Sequence, residues 1–174
     1  MKVTLIFVST LDGKTTRWDD PIVKKWTSSQ DKRYFQQTWD NAPLIVIGSS
    51  TFDVDPIKPS EKHLLIVMTS HPEKYQSYKV VGQLEFTAAS PAEIFSRYKK
   101  AGYQQMLVAG DAHVATSFIK AKLIDELCLT LEPKIFGYGS NLVAEEKLDI
   151  ELKLLSSEKV NERGTLINKY MIIK

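Results

Sequence analysis

Three stretches of this 174-residue chain end an apolar run in glycine or hydroxyl residues. Gly48, Ser49, Ser50 and Thr51 follow the run 44–47. Thr69, Ser70 and His71 follow 64–68, and Gly110, Asp111, Ala112 and His113 follow 105–109. Glycine lets another group come close to the backbone. Where a helix follows, its free N–H groups and positive dipole end suit an anion such as a phosphate. Each stretch alone also reads as an ordinary solvated turn. Together, at comparable strand ends, they can offer backbone N–H groups and short donors to a long phosphate-bearing ligand, a nucleotide-type cofactor.

A fourth position carries different chemistry. Asp31, Phe35 and Thr38 share one face of a helix that starts at Ser28 or Ser29, either a good N-cap. An acid on that inward stripe is either capping or working. As a first-turn residue, Asp31 would complete a cap with Ser28. His63, His71 and His113 have no metal-ligand spacing, so no metal is expected.

The elements that must position these residues alternate between strand and helix. Residues 3–8, 44–48 and 64–68 are continuous apolar runs, as in central strands covered on both faces. A short strand is predicted at 83–88. Ser90, Pro91 and Glu93 then form a capping box with proline at N1, opening a helix that stops near Gly102. A strand at 105–109, a helix to about 121 and a strand at 126–131 follow. The tail predicts strands near 147–155 and 165–173, an antiparallel ending. The pattern is α/β, with ligands expected at the carboxyl ends of the strands.

Composition sets the outer bounds. One domain is expected over 1–174, with 43% apolar and 25% charged residues. The net charge of +2 is spread along the chain, so nucleic acid is not an expected partner. Cys128 stands alone, so no internal disulfide forms and a reducing, cytoplasmic setting fits. The apolar start is too short for a signal peptide, and Asp12, Lys14 and Arg17 follow it. No run reaches the length of a membrane span, so no membrane partner is expected.

Four segments, in order, resemble the dihydrofolate reductase superfamily, and most closely its riboflavin-pathway pyrimidine reductase branch, the RibD C-terminal family. Ser9, Thr10, Leu11, Asp12, Gly13 and Lys14 resemble that branch's Ser-Leu-Asp-Gly-Lys entry. Trp26, Asp31 and Phe35, with Gly48 and Thr51, resemble the folate enzymes' Trp, acid, Phe and Gly-x-x-Thr order. Residues 107–112, followed by Ser117, Phe118 and Ile119, resemble the branch's glycine pair and helix. Residues 123–127 and 132–137 resemble its Leu-Val-Asp-Glu-Leu and Ala-Pro-Lys-Ile-Phe-Gly run. Ala109, Gly110 and Asp111 stand where the branch usually has Glu-Gly-Gly, so a carboxylate falls at the expected pyrophosphate position.

The resemblance implies a mostly parallel central sheet with antiparallel C-terminal strands and helices on both faces. It implies a homodimer that transfers hydride from NADPH to a pyrimidine or pterin-like heterocycle. Asp31 would relay the proton. Asp12 and Lys14 would hold the substrate's polar head, with Trp26 and Phe35 lining its ring. Gly48, Ser49, Thr51, Thr69, Ser70, His71, Gly110, Asp111, Ala112 and His113 would contact the cofactor. Two alternatives stay open. A true dihydrofolate reductase has the Trp26–Asp31–Phe35 spacing in its favour and, against it, the absence of arginine from residues 34–96. A non-catalytic nucleotide-binding protein on the same fold is favoured by Ala109 and Asp111.

Overall fold

A computed structural model describes residues 1–174. The chain runs β1 (Lys2–Thr10), α1 (Ser29–Asp40), β2 (Leu44–Gly48), α2 (Ser49–Val54), β3 (Leu64–Met68), β4 (Leu84–Thr87), α3 (Pro91–Lys100), β5 (Gln105–Val108), α4 (Ala112–Lys120), β6 (Glu126–Glu132), β7 (Leu152–Lys159) and β8 (Leu166–Ile172). All eight strands form one sheet in the order β4-β3-β2-β5-β1-β6-β8-β7. The pairs from β4 to β6 are parallel, and β8 and β7 close the sheet antiparallel.

The apolar runs become central strands because both faces of the sheet are covered. Successive side chains of each strand point to opposite faces, so each run feeds two core layers. One layer packs Val3, Leu5, Val46 and Ile66 against Ile94 of α3 and Phe118 of α4. The other packs Ile6, Ile45, Ile47 and Val67 against Trp39 of α1 and Phe52 of α2. Helices therefore cover both faces. Cys128 is a buried free thiol in the second layer. No helix is long and apolar enough to cross a membrane.

Two expectations from the sequence shift. The strand expected at 147–155 lies at Leu152–Lys159. All eight of its residues are exposed at the sheet's outer edge, so no burial period marks its ends. Leu148, counted in that strand, instead packs against the core from a stretch outside any strand. The three hydroxyls after Gly48 also begin a short helix, α2, rather than a turn.

Candidate functional site

Parallel strands place all their carboxyl ends on one edge. From β3 through β2, β5 and β1 to β6, that edge carries Thr69, Gly48, Gly110, Asp12 and Glu132 in spatial order. The topology thus lines up the three glycine and hydroxyl stretches side by side, with the acid-bearing helix at the far end.

At that far end β1 and β6 run in register from Thr4 opposite Glu126 to Thr10 opposite Glu132. Cys128, Thr130 and Glu132 lie on one face of β6 by its period of two. Helix α1 lies over this face. Ser28 is its N-cap, and the Ser28 hydroxyl accepts the Asp31 N–H at 3.2 Å. In a full capping box the Asp31 carboxylate would accept the Ser28 N–H in return. Glu132 takes that bond instead, its Oε1 accepting the Ser28 N–H at 2.7 Å. The other oxygen of Glu132 accepts the Thr165 hydroxyl at 2.8 Å. Asn161 fixes that hydroxyl, with its Nδ2 donating to Thr165 Oγ1 at 2.9 Å.

The Asp31 carboxyl is thereby released from capping. It is 6% exposed and lies against the hydroxyls of Thr130 and Thr27. Burial pushes its pKa above the ordinary 3.8, the two hydroxyls oppose that rise, and the nearby Glu132 charge adds to it. The arrangement places a carboxyl with a raised pKa beside the sheet's carboxyl edge.

Trp26 and Phe35 flank this acid in the chain. Trp26 is buried edge-on to Phe136, with ring centroids 5.1 Å apart. Lys134 Nζ donates to the Trp26 carbonyl and stands 5.9 Å from its ring. The Trp26 Nε1–H has no partner within the chain. Phe35, one helical turn beyond Asp31, packs on Trp39 at 5.6 Å.

Asp12 and Lys14 are both hydrogen-bonded within the chain. Asp12 accepts the Gly137 N–H at 2.7 Å, the Phe136 N–H at 3.2 Å and the Thr10 hydroxyl at 2.5 Å. The Thr10 hydroxyl above all, then the Gly137 and Phe136 N–H groups, hold its carboxyl below the usual range. Lys14 Nζ donates to Asn141 Oδ1 at 2.8 Å. The turn at Asp12 to Lys14 therefore ties residues 136–141 to the end of β1. Beside that segment a cleft of about 300 Å³ opens between Trp18, Asp19, Tyr138 and Ser140. Trp18 holds a left-handed backbone with φ +56°.

The three glycine and hydroxyl stretches differ from their expectation in detail. A Cβ on Gly110 would stand 2.7 Å from Val114 Cβ, and one on Gly48 would stand 3.0 Å from Val114 Cγ2. The close approach of α4 leaves no room for a Cβ at Gly110 and only a tight fit for one at Gly48. Asp111 is the N-cap of α4; its Oδ1 accepts the His113 N–H at 2.9 Å and the Val114 N–H at 3.0 Å. Its Oδ2 accepts the Ser50 hydroxyl from the first turn of α2. Ala112 and His113 open α4, with the His113 side chain exposed. Ser49 and Thr51 lie in the first turn of α2, and Ser49 reaches the Tyr75 hydroxyl. Thr69 Oγ1 accepts the His71 N–H at 3.2 Å, Ser70 is exposed, and His71 Nδ1 lies 3.2 Å from Glu73.

Sequence reasoning missed Thr27, Thr130 and Glu132, and it named Ser50 as a donor to a ligand rather than as the partner of Asp111. A signal for two of the missed residues exists: Thr130 and Glu132 alternate with Leu129 and Leu131, so both polar groups fall on one face of the strand.

This architecture recurs in solved structures. A pyrimidine reductase-like protein from Corynebacterium diphtheriae superposes with a TM-score of 0.79 at 16% identity, covering 99% of this chain and 92% of its own. Dihydrofolate reductase from Enterococcus faecalis, solved with NADP(H) and RAB-propyl, gives 0.66 at 20% identity, covering 98% and 94%. The class is thus the dihydrofolate reductase-like fold. In sequence, the family model of the RibD C-terminal domain matches residues 1–166. The uncharacterised Bacillus subtilis protein YwjB is 27% identical over 173 residues, covering 92% of this chain and 93% of its own. The chain belongs to the RibD C-terminal domain family.

Proposed function

We propose that this chain is an NADPH-dependent reductase acting on a pyrimidine or pterin-like heterocycle, of the 5-amino-6-(5-phosphoribosylamino)uracil reductase type. The observation that carries this reading is the Asp31 carboxyl, excluded from capping by Glu132 and buried against Thr27 and Thr130. Membership of the RibD C-terminal domain family and the likeness to a pyrimidine reductase-like fold support it.

Reduced nicotinamide, when bound, supplies a hydride to a C=N or C=O carbon. The chain's own contribution is the proton and the alignment. Burial keeps Asp31 protonated to higher pH than an exposed aspartate. The Thr27 and Thr130 hydroxyls stand beside the carboxyl and oppose that rise in pKa. Trp26 is buried edge-on to Phe136, its carbonyl held by Lys134, and would line the substrate ring. For the cofactor, Gly48, Thr69 and Gly110 share one edge, and Ser49, Thr51, Ser70 and His113 lie beside them. The first-turn N–H groups of α4 fit less well, since Asp111 already holds them. That cap favours a second reading, a nucleotide-binding protein that does no chemistry. Two copies are proposed to associate, which sedimentation at increasing concentration tests.

The deciding experiment is a titration with NADPH and with NADH, read by fluorescence and melting temperature. Binding followed by loss of reduced-nicotinamide absorbance with a ribosylaminopyrimidine supports the reading. Turnover with dihydrofolate alone moves the assignment to a dihydrofolate reductase, and binding without turnover moves it to the second reading. No response to either nucleotide overturns it.

A further inference from the structure

The N-terminus of α4 is filled by a charge that belongs to the chain. Asp111 places one carboxylate oxygen on the N–H groups of His113 and Val114 and the other on the Ser50 hydroxyl. This one side chain joins the turns after two neighbouring strands, β5 and β2. Its Oδ2 also stands 3.1 Å from where a Cβ of Gly48 would sit. The carboxylate therefore lies between the two strand ends that a long anionic ligand would have to share. An anion arriving there meets donors already satisfied and a like charge in their place.

We propose that Asp111 is a built-in competitor for the pyrophosphate of the dinucleotide, an autoinhibitory contact released only when the Asp111–Ser50 bridge opens. This rests on the reductase reading for the identity of the ligand. The competition itself is a property of the two strand ends. Asp111 sets cofactor affinity by leaving the α4 N-terminus, and Ser50 sets the resistance to that departure.

The test measures dissociation constants by calorimetry, for NADPH and for inorganic pyrophosphate separately. The proteins are the wild type, Asp111→Asn, Asp111→Gly and Ser50→Ala. Asparagine and glycine both serve at an N-cap, so the fold is retained while the charge is lost. Circular dichroism and melting curves check this. Both Asp111 variants are expected to bind each probe about tenfold or more tightly than the wild type, the scale of one like-charge repulsion removed. Ser50→Ala is expected to tighten binding less, because the carboxylate stays but is freer to move. Tighter pyrophosphate binding by both Asp111 variants, with NADPH bound by none of the proteins, upholds the competition and overturns the dinucleotide reading. NADPH bound equally or more weakly by the Asp111 variants overturns the competition and leaves the dinucleotide reading standing. Failure of all four proteins to bind either probe overturns both.

Discussion

Asp31 and Asp111 both sit in the first turn region of a helix at the carboxyl edge of the sheet, yet they are used in opposite ways. Asp111 is consumed by its helix, accepting two of that helix's own N–H groups. Asp31 is at the third helical position, where a capping box would also consume it. It escapes because a third acid, Glu132 on β6, reaches across and accepts the Ser28 N–H. What an acid near a helix start does is therefore settled by its neighbours across the sheet. Helix α3 is the control: Ser90 and Glu93 complete the box between themselves, with the Ser90 N–H donating to Glu93 at 2.8 Å.

The contrast can be broken at several points. The largest effect is expected from Asp31→Asn, which should lower turnover by about 10²–10⁴-fold, the usual worth of a general acid. A loss confined to KM would instead make Asp31 a substrate anchor. Wild-type turnover should fall as pH rises through the raised pKa of Asp31, and the variant should lose that limb. Stability has the same sign. A folded-state pKa above 3.8 makes the Asp31 contribution full in acid and lost as pH rises through the folded value. Asp31→Asn should therefore raise the melting temperature most in mildly alkaline buffer and least in acid.

Next comes Glu132→Ala, which strands the Ser28 N–H and the Thr165 hydroxyl. It should cost about 3 kcal/mol in chemical denaturation, from two hydrogen bonds to a buried charge. If Asp31 then swings back to cap Ser28, turnover falls together with stability. A variant that loses stability but keeps full turnover would show that Glu132 does not free Asp31. Gly110→Ala forces a Cβ against Val114 and should cost about 2 kcal/mol. The smallest effect distinguishes the two serine caps. Ser28→Ala and Ser90→Ala should each cost about 1 kcal/mol. Only Ser28→Ala should also lower turnover, because only that cap orients an acid held at the site.

Much of the frame was legible because it rests on local rules. The runs at Leu44–Gly48 and Leu64–Met68 are strands as read, since full burial on both faces leaves continuous apolar sequence. Ser28, and Ser90 with Glu93, mark the starts of α1 and α3. β7 was misplaced because an exposed edge strand carries no burial period. At the candidate site, Asp31 was visible in the sequence as an acid on an inward stripe and is buried, but the means of its release from capping was not visible. Ser28 and Glu132 lie 104 residues apart, and Thr165 is 33 further on from Glu132. Likewise an aspartate before α4 reads as a cap, while its bond to Ser50 spans 61 residues. Asp12 shows the same limit, for its partners at Phe136 and Gly137 arrive only with the tertiary fold.

The position of β1 has a consequence for how the chain comes into being. It is made first, yet its two partners in the sheet are β5 and β6. At roughly 5–20 residues per second on the ribosome, an apolar strand waits on the order of ten seconds before residue 132 can reach it. In that interval the emerging chain exposes an unpaired strand edge, the kind of surface that chaperones shield and that aggregates seize. Helix α1 waits too, because Glu132 must arrive before Ser28 is satisfied and Asp31 is set free. A chain cut short before β6 would thus carry every residue of the Trp26–Asp31–Phe35 triplet and still have no acid in place.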